Sequence, residues 1–210
     1  MLKQSIFLQA LSTLGLSYEN LIQEDGWATL IPNWLSTSEA SDLFASLIQE
    51  LDWHSVKIKL FGKEHTAPRL VCWYGEPGIQ YQYSNLTHMA TSWAPKLEGL
   101  NQRLKTEFGV QFNSVLGNFY RNGSDSMGWH QDNEKELGLL PCIASVSLGA
   151  CRKFKFRHRK TGILKTVELS SGSVLMMGGT LQQHWQHALP KTRKPCGQRI
   201  NLTFRKILDD

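Results

Sequence analysis

Arg199-Ile200-Asn201-Leu202-Thr203-Phe204-Arg205 alternates without a break. Successive side chains of a β-strand point to opposite faces, so Ile200, Leu202 and Phe204 share one face and Arg199, Asn201, Thr203 and Arg205 the other. The first face is apolar and made for a core. The second carries two guanidiniums, an amide and a hydroxyl, a donor set suited to an anion, although an exposed polar face on an edge strand would read the same way. Upstream, strand-like runs recur near 114–121, 142–149, 153–158, 164–169, 173–177 and 184–189. That spacing is expected of an antiparallel sandwich or jelly roll.

The first half of the chain is different. Residues 2–14 carry Leu2, Ile6, Leu8, Ala10, Leu11 and Leu14 at loosely helical spacing, with Gly15 as a stop. A short strand follows at Gly26–Pro32. Ser36 with Glu39 forms a capping box for a helix whose apolar stripe is Leu43, Phe44, Leu47, Ile48 and Leu51. Pro95 opens another, running through Leu97, Leu100, Leu104 and Phe108 to Gly109. Over 57–90, glycines and prolines punctuate short aromatic segments containing Phe61, Trp73, Tyr74, Tyr81 and Tyr83, which reads as hairpins and a lid. The fold class expected is α+β.

A length of 210 residues suits one domain, and 41% hydrophobic with 20% charged residues is an ordinary globular balance. No apolar run approaches the ~18 residues of a membrane span. The first residues lack the apolar core and cleavage site of a signal peptide, so an intracellular protein is expected, cytoplasmic if bacterial and nuclear if eukaryotic. Cys72, Cys142, Cys151 and Cys196 are scattered, with no Cys-x-x-Cys, which argues against a disulfide framework and a zinc knuckle. The net charge of +5 favours a polyanionic partner, and it is concentrated in Arg152–Lys160 and Lys191–Lys194.

His130-Gln131-Asp132 supplies the candidate metal ligands. If the tripeptide is extended, His130 and Asp132 share a face, and a second imidazole from His184 or His187 completes two histidines and a carboxylate. These two stand three apart, so only one can join. Such a set leaves open coordination positions, the arrangement of non-haem Fe(II) oxygenases. Asn118 and Tyr120 also share a face, and amide, phenol and guanidinium together can hold a small diacid.

Taken together, Asn118-Phe119-Tyr120, His130-Gln131-Asp132, His187 and the Arg199–Arg205 run resemble the AlkB family of Fe(II)- and 2-oxoglutarate-dependent nucleic-acid dealkylases. The likeness covers roughly residues 26–208. It implies a double-stranded β-helix (jelly-roll) core at about 112–208, N-terminal helices, a nucleotide-recognition lid at about 55–90, and an N-terminal extension at 1–25 before a dioxygenase domain at 26–210. By the resemblance His130, Asp132 and His187 hold Fe(II), the twelve-residue spacing to Arg199 selecting His187 over His184. Asn118, Tyr120, Arg199, Thr203 and Arg205 bind 2-oxoglutarate, with Arg205 on its distal carboxylate. O2 is the other cosubstrate. The implied reaction hydroxylates an N-alkyl group and releases formaldehyde, succinate and CO2.

The substrate implied is alkylated DNA, double- or single-stranded, with N1-methyladenine and N3-methylcytosine as lesions and base flipping as the means of access. Phe61, in Leu60-Phe61-Gly62-Lys63, resembles the intercalating finger of the branch acting on double-stranded DNA, with Gly62 and Lys63 beside it. Tyr81 and Tyr83 resemble that branch's aromatic pair, on which a flipped base stacks for on the order of 1–3 kcal/mol. Asn133 and Glu134 are placed to approach the base edge. Asn133 stands where the branch has Asp, Tyr83 where it usually has Phe, and Glu64 where an aromatic residue is common. Lys153, Lys155 and Arg157 share one strand face and are expected to meet phosphates. A monomer is expected. The alternatives are an RNA demethylase with the same chemistry, a protein or small-molecule hydroxylase on this scaffold, and a metal-free binding module.

Overall fold

The structure, a computed structural model, describes residues 4–60, 63–83 and 86–208, and of 58–60, 63, 80–83 and 86–88 the backbone alone. The chain runs α1 (Gln4–Thr13), β1 (Glu19–Ile22), β2 (Trp27–Ile31), α2 (Thr37–Glu50), β3 (His54–Leu60) and β4 (Lys63–Gly75). The hairpin β5 (Gln80–Tyr83) and β6 (Leu86–Met89) follows, then β7 (Thr91–Ser92) and α3 (Pro95–Phe108). The remainder is β8 (Ser114–Tyr120), β9 (Met127–His130), β10 (Ile143–Gly149), β11 (Arg152–His158), β12 (Leu164–Leu169), β13 (Val174–Gly178), α4 (Leu181–His184), β14 (Trp185–Leu189) and β15 (Arg199–Arg205).

Local chemistry sets the helix ends. The Glu39 backbone N–H donates to Ser36 Oγ at 3.2 Å and the Ser36 N–H to Glu39 Oε2 at 2.8 Å, which satisfies two donors at the start of α2. α3 starts with Pro95 and stops at Gly109, whose φ of 68° a residue with a side chain rarely adopts. In α1 the buried residues are Phe7 and Leu11, while Ile6 and Leu14 are exposed, so the apolar stripe is rotated from the one expected. Phe7 stacks on Trp27 at 5.4 Å and meets Phe108 edge-on at 5.3 Å, and these large rings decide which side turns inward.

Two sheets form the jelly roll. The larger has the order β1-β2-β13-β10-β15-β8-β4-β3, with β7 beside β4, and the smaller is β12-β11-β14-β9. One core, including Phe7, Leu47, Leu104, Val146 and Leu202, lies between the large sheet and α1–α3. A second, including Leu30, Leu175, Phe154, Phe156 and Trp185, lies between the sheets. β15 is central, between β10 and β8, and all seven of its residues are buried. The edge-strand reading is thereby excluded: Ile200, Leu202 and Phe204 pack toward the helices, and the polar set is enclosed inside the sandwich. Residues before 26, expected as an extension, add β1 to the sheet and Phe7, Leu11 and Ile22 to the cores.

Candidate active site

His130, Asp132 and His187 each offer a ligand atom, all within 4.8 Å of one another. His130 and His187 are cross-strand partners in β9 and β14, and their rings lie 4.2 Å apart. Asp132 is brought in differently from the expected strand alternation. β9 ends at His130, and the carboxylate stands two residues beyond, with Oδ1 at 3.9 Å from His130 Nε2. His184 is not part of the group. It lies at the end of α4, its ring parallel to that of His158 at 6.2 Å.

The donor chemistry fits a metal. His130 Nδ1 lies 2.8 Å from the Gly128 carbonyl, which can only accept, so Nδ1 carries the proton and Nε2 keeps its lone pair for the site. Burial, with His130 and Arg205 nearby, outweighs the attraction of Asp132 and holds His187 at about 3, a neutral imidazole. Its buried Nδ1 has no hydrogen-bond partner among the described residues. Burial pushes the Asp132 carboxyl up, but Arg205, His187 and His130 together outweigh it and hold the group at about 2, ionised. The Arg205 guanidinium touches it at 2.9 Å.

A cavity leads from these residues between the sheets, with Asn118, Tyr120, Ser145, Asn201, Thr203 and Arg205 among its lining residues. The register explains the convergence: Arg199 pairs with Tyr120 and Asn201 with Asn118 on one side, and Asn201 pairs with Ser147 and Thr203 with Ser145 on the other. Arg69 Nε donates to Asn118 Oδ1 at 2.7 Å. Arginine cannot accept, so the oxygen of Asn118 is committed and its NH2 is left as a donor. Likewise Asn201 Nδ2 donates to Ser145 Oγ at 2.7 Å and to the Val146 carbonyl at 3.1 Å, which leaves the Ser145 hydroxyl proton free to point elsewhere. Arg199, 1% exposed, donates to Ser147 Oγ at 2.9 Å and lies against the Tyr120 ring at 5.4 Å, with Nε and Nη1 unpartnered among the described residues. Burial pushes the Tyr120 phenol up against the pull of Arg199, so it remains a donor.

A second cavity of about 270 Å³ also reaches His130 and Asp132, with Arg69, Val71, Trp73, Tyr74 and Glu134 in its walls. Cys72, also in the wall, is pushed up to about 12 by burial and is a neutral thiol. Asn133 is exposed. Phe61 and Gly62, and the side chains of Lys63, Tyr81 and Tyr83, lie outside the described residues. Lys153 is exposed and Lys155 and Arg157 half-buried, alternating with buried Phe154 and Phe156 on β11. Arg157 lies over the Trp129 ring at 4.5 Å and donates to Gln186 Oε1 at 2.8 Å. Arg152, from the same basic run, is 3% exposed and ties the Asn122, Asp125 and Pro190 carbonyls together.

Sequence reasoning did not single out Arg69, Ser145, Ser147 or Gln182. The serines carried a usable signal, two hydroxyls at alternate positions of an otherwise apolar strand. Asp25, His158 and His184 form a second close group. There the Thr161 N–H donates to His158 Nδ1 at 3.1 Å, so the proton sits on Nε2 and is donated to Asp25 Oδ2 at 3.0 Å. That ring has no lone pair left for a metal.

Residues 27–205 match the sequence profile of the 2OG-Fe(II) oxygenase superfamily. The chain is 41% identical over 182 residues to the DNA oxidative demethylase ALKBH2 of Mus musculus, covering 81% of this chain and 76% of that one. With the Bos taurus ALKBH2 it shares 40% over 183 residues, 81% of this chain and 66% of the relative's length. To the human alpha-ketoglutarate-dependent dioxygenase alkB homolog 3 it is 37% identical over 191 residues, covering 86% and 66%. The solved structure of OsALKBH1 superposes with a TM-score of 0.58 at 18% identity over 90% of this chain and 100% of that one, which speaks to the fold.

Proposed function

The chain belongs to the 2OG-Fe(II) oxygenase superfamily and, within it, to the AlkB family, and from that premise we propose that it is a dioxygenase that oxidatively demethylates DNA bases. The observation that carries this reading is the His130, Asp132 and His187 group, reached by a small cavity lined by Asn118, Tyr120, Asn201 and Thr203 and by a larger one lined by Trp73 and Tyr74. The names of its relatives, DNA oxidative demethylases, support DNA as the substrate.

Fe(II), when bound with 2-oxoglutarate, supplies the oxidation: O2 is consumed, 2-oxoglutarate becomes succinate and CO2, and an N-methyl C–H bond becomes C–OH. His130, Asp132 and His187 would hold the ion. Asn118 and Tyr120 would donate to the cosubstrate from β8, and Ser145 and Thr203 from β10 and β15. We assign the two arginines the other way round from the resemblance. Arg205 pairs with Asp132, and Arg199, buried against the cavity-lining Tyr120 with Nε and Nη1 lacking a hydrogen-bond partner among the described residues, is the partner proposed for the distal carboxylate. A buried guanidinium without a counter-ion is costly in the free protein and is satisfied by that carboxylate.

The second cavity would take the flipped base between aromatic walls, with the methyl group turned to the metal. The burial of Asp132 and His187 would, with the base seated in the cavity, limit bulk water at the reacting carbon. The hydroxymethyl product then expels formaldehyde as the N–C bond breaks, and the O–H proton passes to solvent. N1-methyladenine and N3-methylcytosine suit such a site because their methyl groups are on the pairing edge, which an extruded base presents. The test is formaldehyde and succinate release from methylated duplex DNA, single-stranded DNA and RNA at fixed salt, with Fe(II) and 2-oxoglutarate each omitted in turn. Release confined to RNA would overturn the DNA assignment. Release independent of 2-oxoglutarate would overturn the mechanism.

A further inference from the structure

We propose that Gln182 is a positioning residue for the metal-binding carboxylate: by holding the Asp132 backbone N–H and the Gln131 side chain, it sets the place of Asp132 and thereby the strength of the metal site. The proposal rests on reading His130, Asp132 and His187 as the metal ligands.

Strand geometry explains two of these three residues and leaves the third unexplained. His130 and His187 are locked by the pairing of β9 with β14. Asp132 lies past the end of β9, where no ladder holds it. Its carboxylate is drawn to Arg205 at 2.9 Å, a contact that competes with a metal for the same oxygen. Something must fix the backbone independently of that charge.

Gln182 supplies the connection twice. The Asp132 N–H donates to Gln182 Oε1 at 3.1 Å, and Gln131 Nε2 donates to the Gln182 carbonyl at 2.6 Å. An N–H can only donate, so the amide oxygen must face Asp132, and Nε2 is left against Met177 Sδ at 3.9 Å, a weak acceptor. The amide is therefore oriented by its bond to Asp132 and by little else. Gln182 is 2% exposed, in surroundings where an apolar side chain would pack without the need for partners. It sits on α4, directly before the strand that carries His187. Ligands from distant parts of the chain thus share one support, and the middle residue of His-x-Asp is half of the attachment.

The test uses the full chain, stripped of metal by chelation, with Mn(II) binding followed by calorimetry and Co(II) absorption recorded in parallel. Gln182→Met keeps the length and removes the acceptor. In protein that circular dichroism shows to be folded, the Mn(II) Kd should weaken about 10- to 100-fold, as is usual when a partner of a metal ligand is lost, and the Co(II) bands should change shape. A purely structural role would lower the melting temperature and leave the Kd of the folded protein alone. A folded Gln182→Met that binds Mn(II) within twofold of the unsubstituted chain overturns the proposal. Should that variant not fold, Gln131→Met decides by the same criterion, with a smaller loss expected. Failure of the unsubstituted chain to bind Mn(II) would overturn the reading of the ligands themselves.

Discussion

Arg199→Met should move two measurements in opposite directions. The guanidinium is 1% exposed, and burial pulls it down to about 10 from an ordinary value above 12. At ~1.4 kcal/mol per pH unit this corresponds to about 3 kcal/mol of strain in the free protein. Against it stands the bond to Ser147 Oγ, worth about 1.5–3 kcal/mol for a charged donor. A methionine removes both, so the free variant should melt at or slightly above the unsubstituted protein. Loss of the cosubstrate's counter-ion acts the other way, by about 2–5 kcal/mol for one partner of a buried charge pair. The expected Kd for 2-oxoglutarate is therefore at least about 30-fold weaker. Calorimetric titration of 2-oxoglutarate into the Mn(II)-loaded protein reads the second effect, and thermal melts with and without cosubstrate read the first. A variant that binds 2-oxoglutarate within threefold of normal would refute the reasoning and return the distal carboxylate to Arg205.

Four further outcomes are expected. Asp132→Ala should abolish succinate release, since the proposed carboxylate ligand is lost; substantial turnover would mean another acid holds the ion. Arg69→Met frees the Asn118 amide to turn, and the KM for 2-oxoglutarate should rise about tenfold, from a charged hydrogen bond of roughly 1.5–3 kcal/mol, with a steady kcat. Lys153→Gln and Lys155→Gln should each reduce the slope of log K against log salt for DNA binding by about 1 if the lysine meets a phosphate, as measured by anisotropy across a salt series. Asp125 accepts bonds from Arg121 at its backbone N, Nε and Nη2. Burial pushes Asp125 up, but these bonds win and its value is lowered. The stability it contributes is therefore present above the ordinary carboxylate range and lost as pH falls through the depressed value. With Arg121 half exposed, Asp125→Asn should cost about 1 kcal/mol in denaturant melts at pH 7, the gap closing in strong acid.

What could be read from the sequence followed the strength of the local pattern. Alternation placed β11 and β15 within a residue, because Phe154 and Phe156 or Ile200, Leu202 and Phe204 leave one side to face a core. Ser36, Glu39, Pro95 and Gly109 marked helix ends through bonds made within a few residues. β1 was missed because Glu19–Ile22 has no alternation and exists only through its pairing with β2. The phase of α1 went astray because Phe7 is selected by Trp27 and Phe108, neither of them local. At the site, His130, Asp132 and the β15 residues were legible as residue types. The pairing of Arg205 rather than Arg199 with Asp132 was not, since it depends on contacts far apart in the chain. Arg69 and Gln182 had no pattern around them to be read.

β9 is a four-residue strand at the margin of the small sheet, with β14 as its one neighbour. A strand so short and one-sided opens readily, so its amides should be among the first to exchange with deuterated solvent. It nevertheless carries His130, and the ion that His130 shares with His187 would join β9 to β14 by coordination as well as by the ladder. Metal occupancy would then govern how often this margin opens, and iron depletion would loosen the wall of the jelly roll before it weakened the rest.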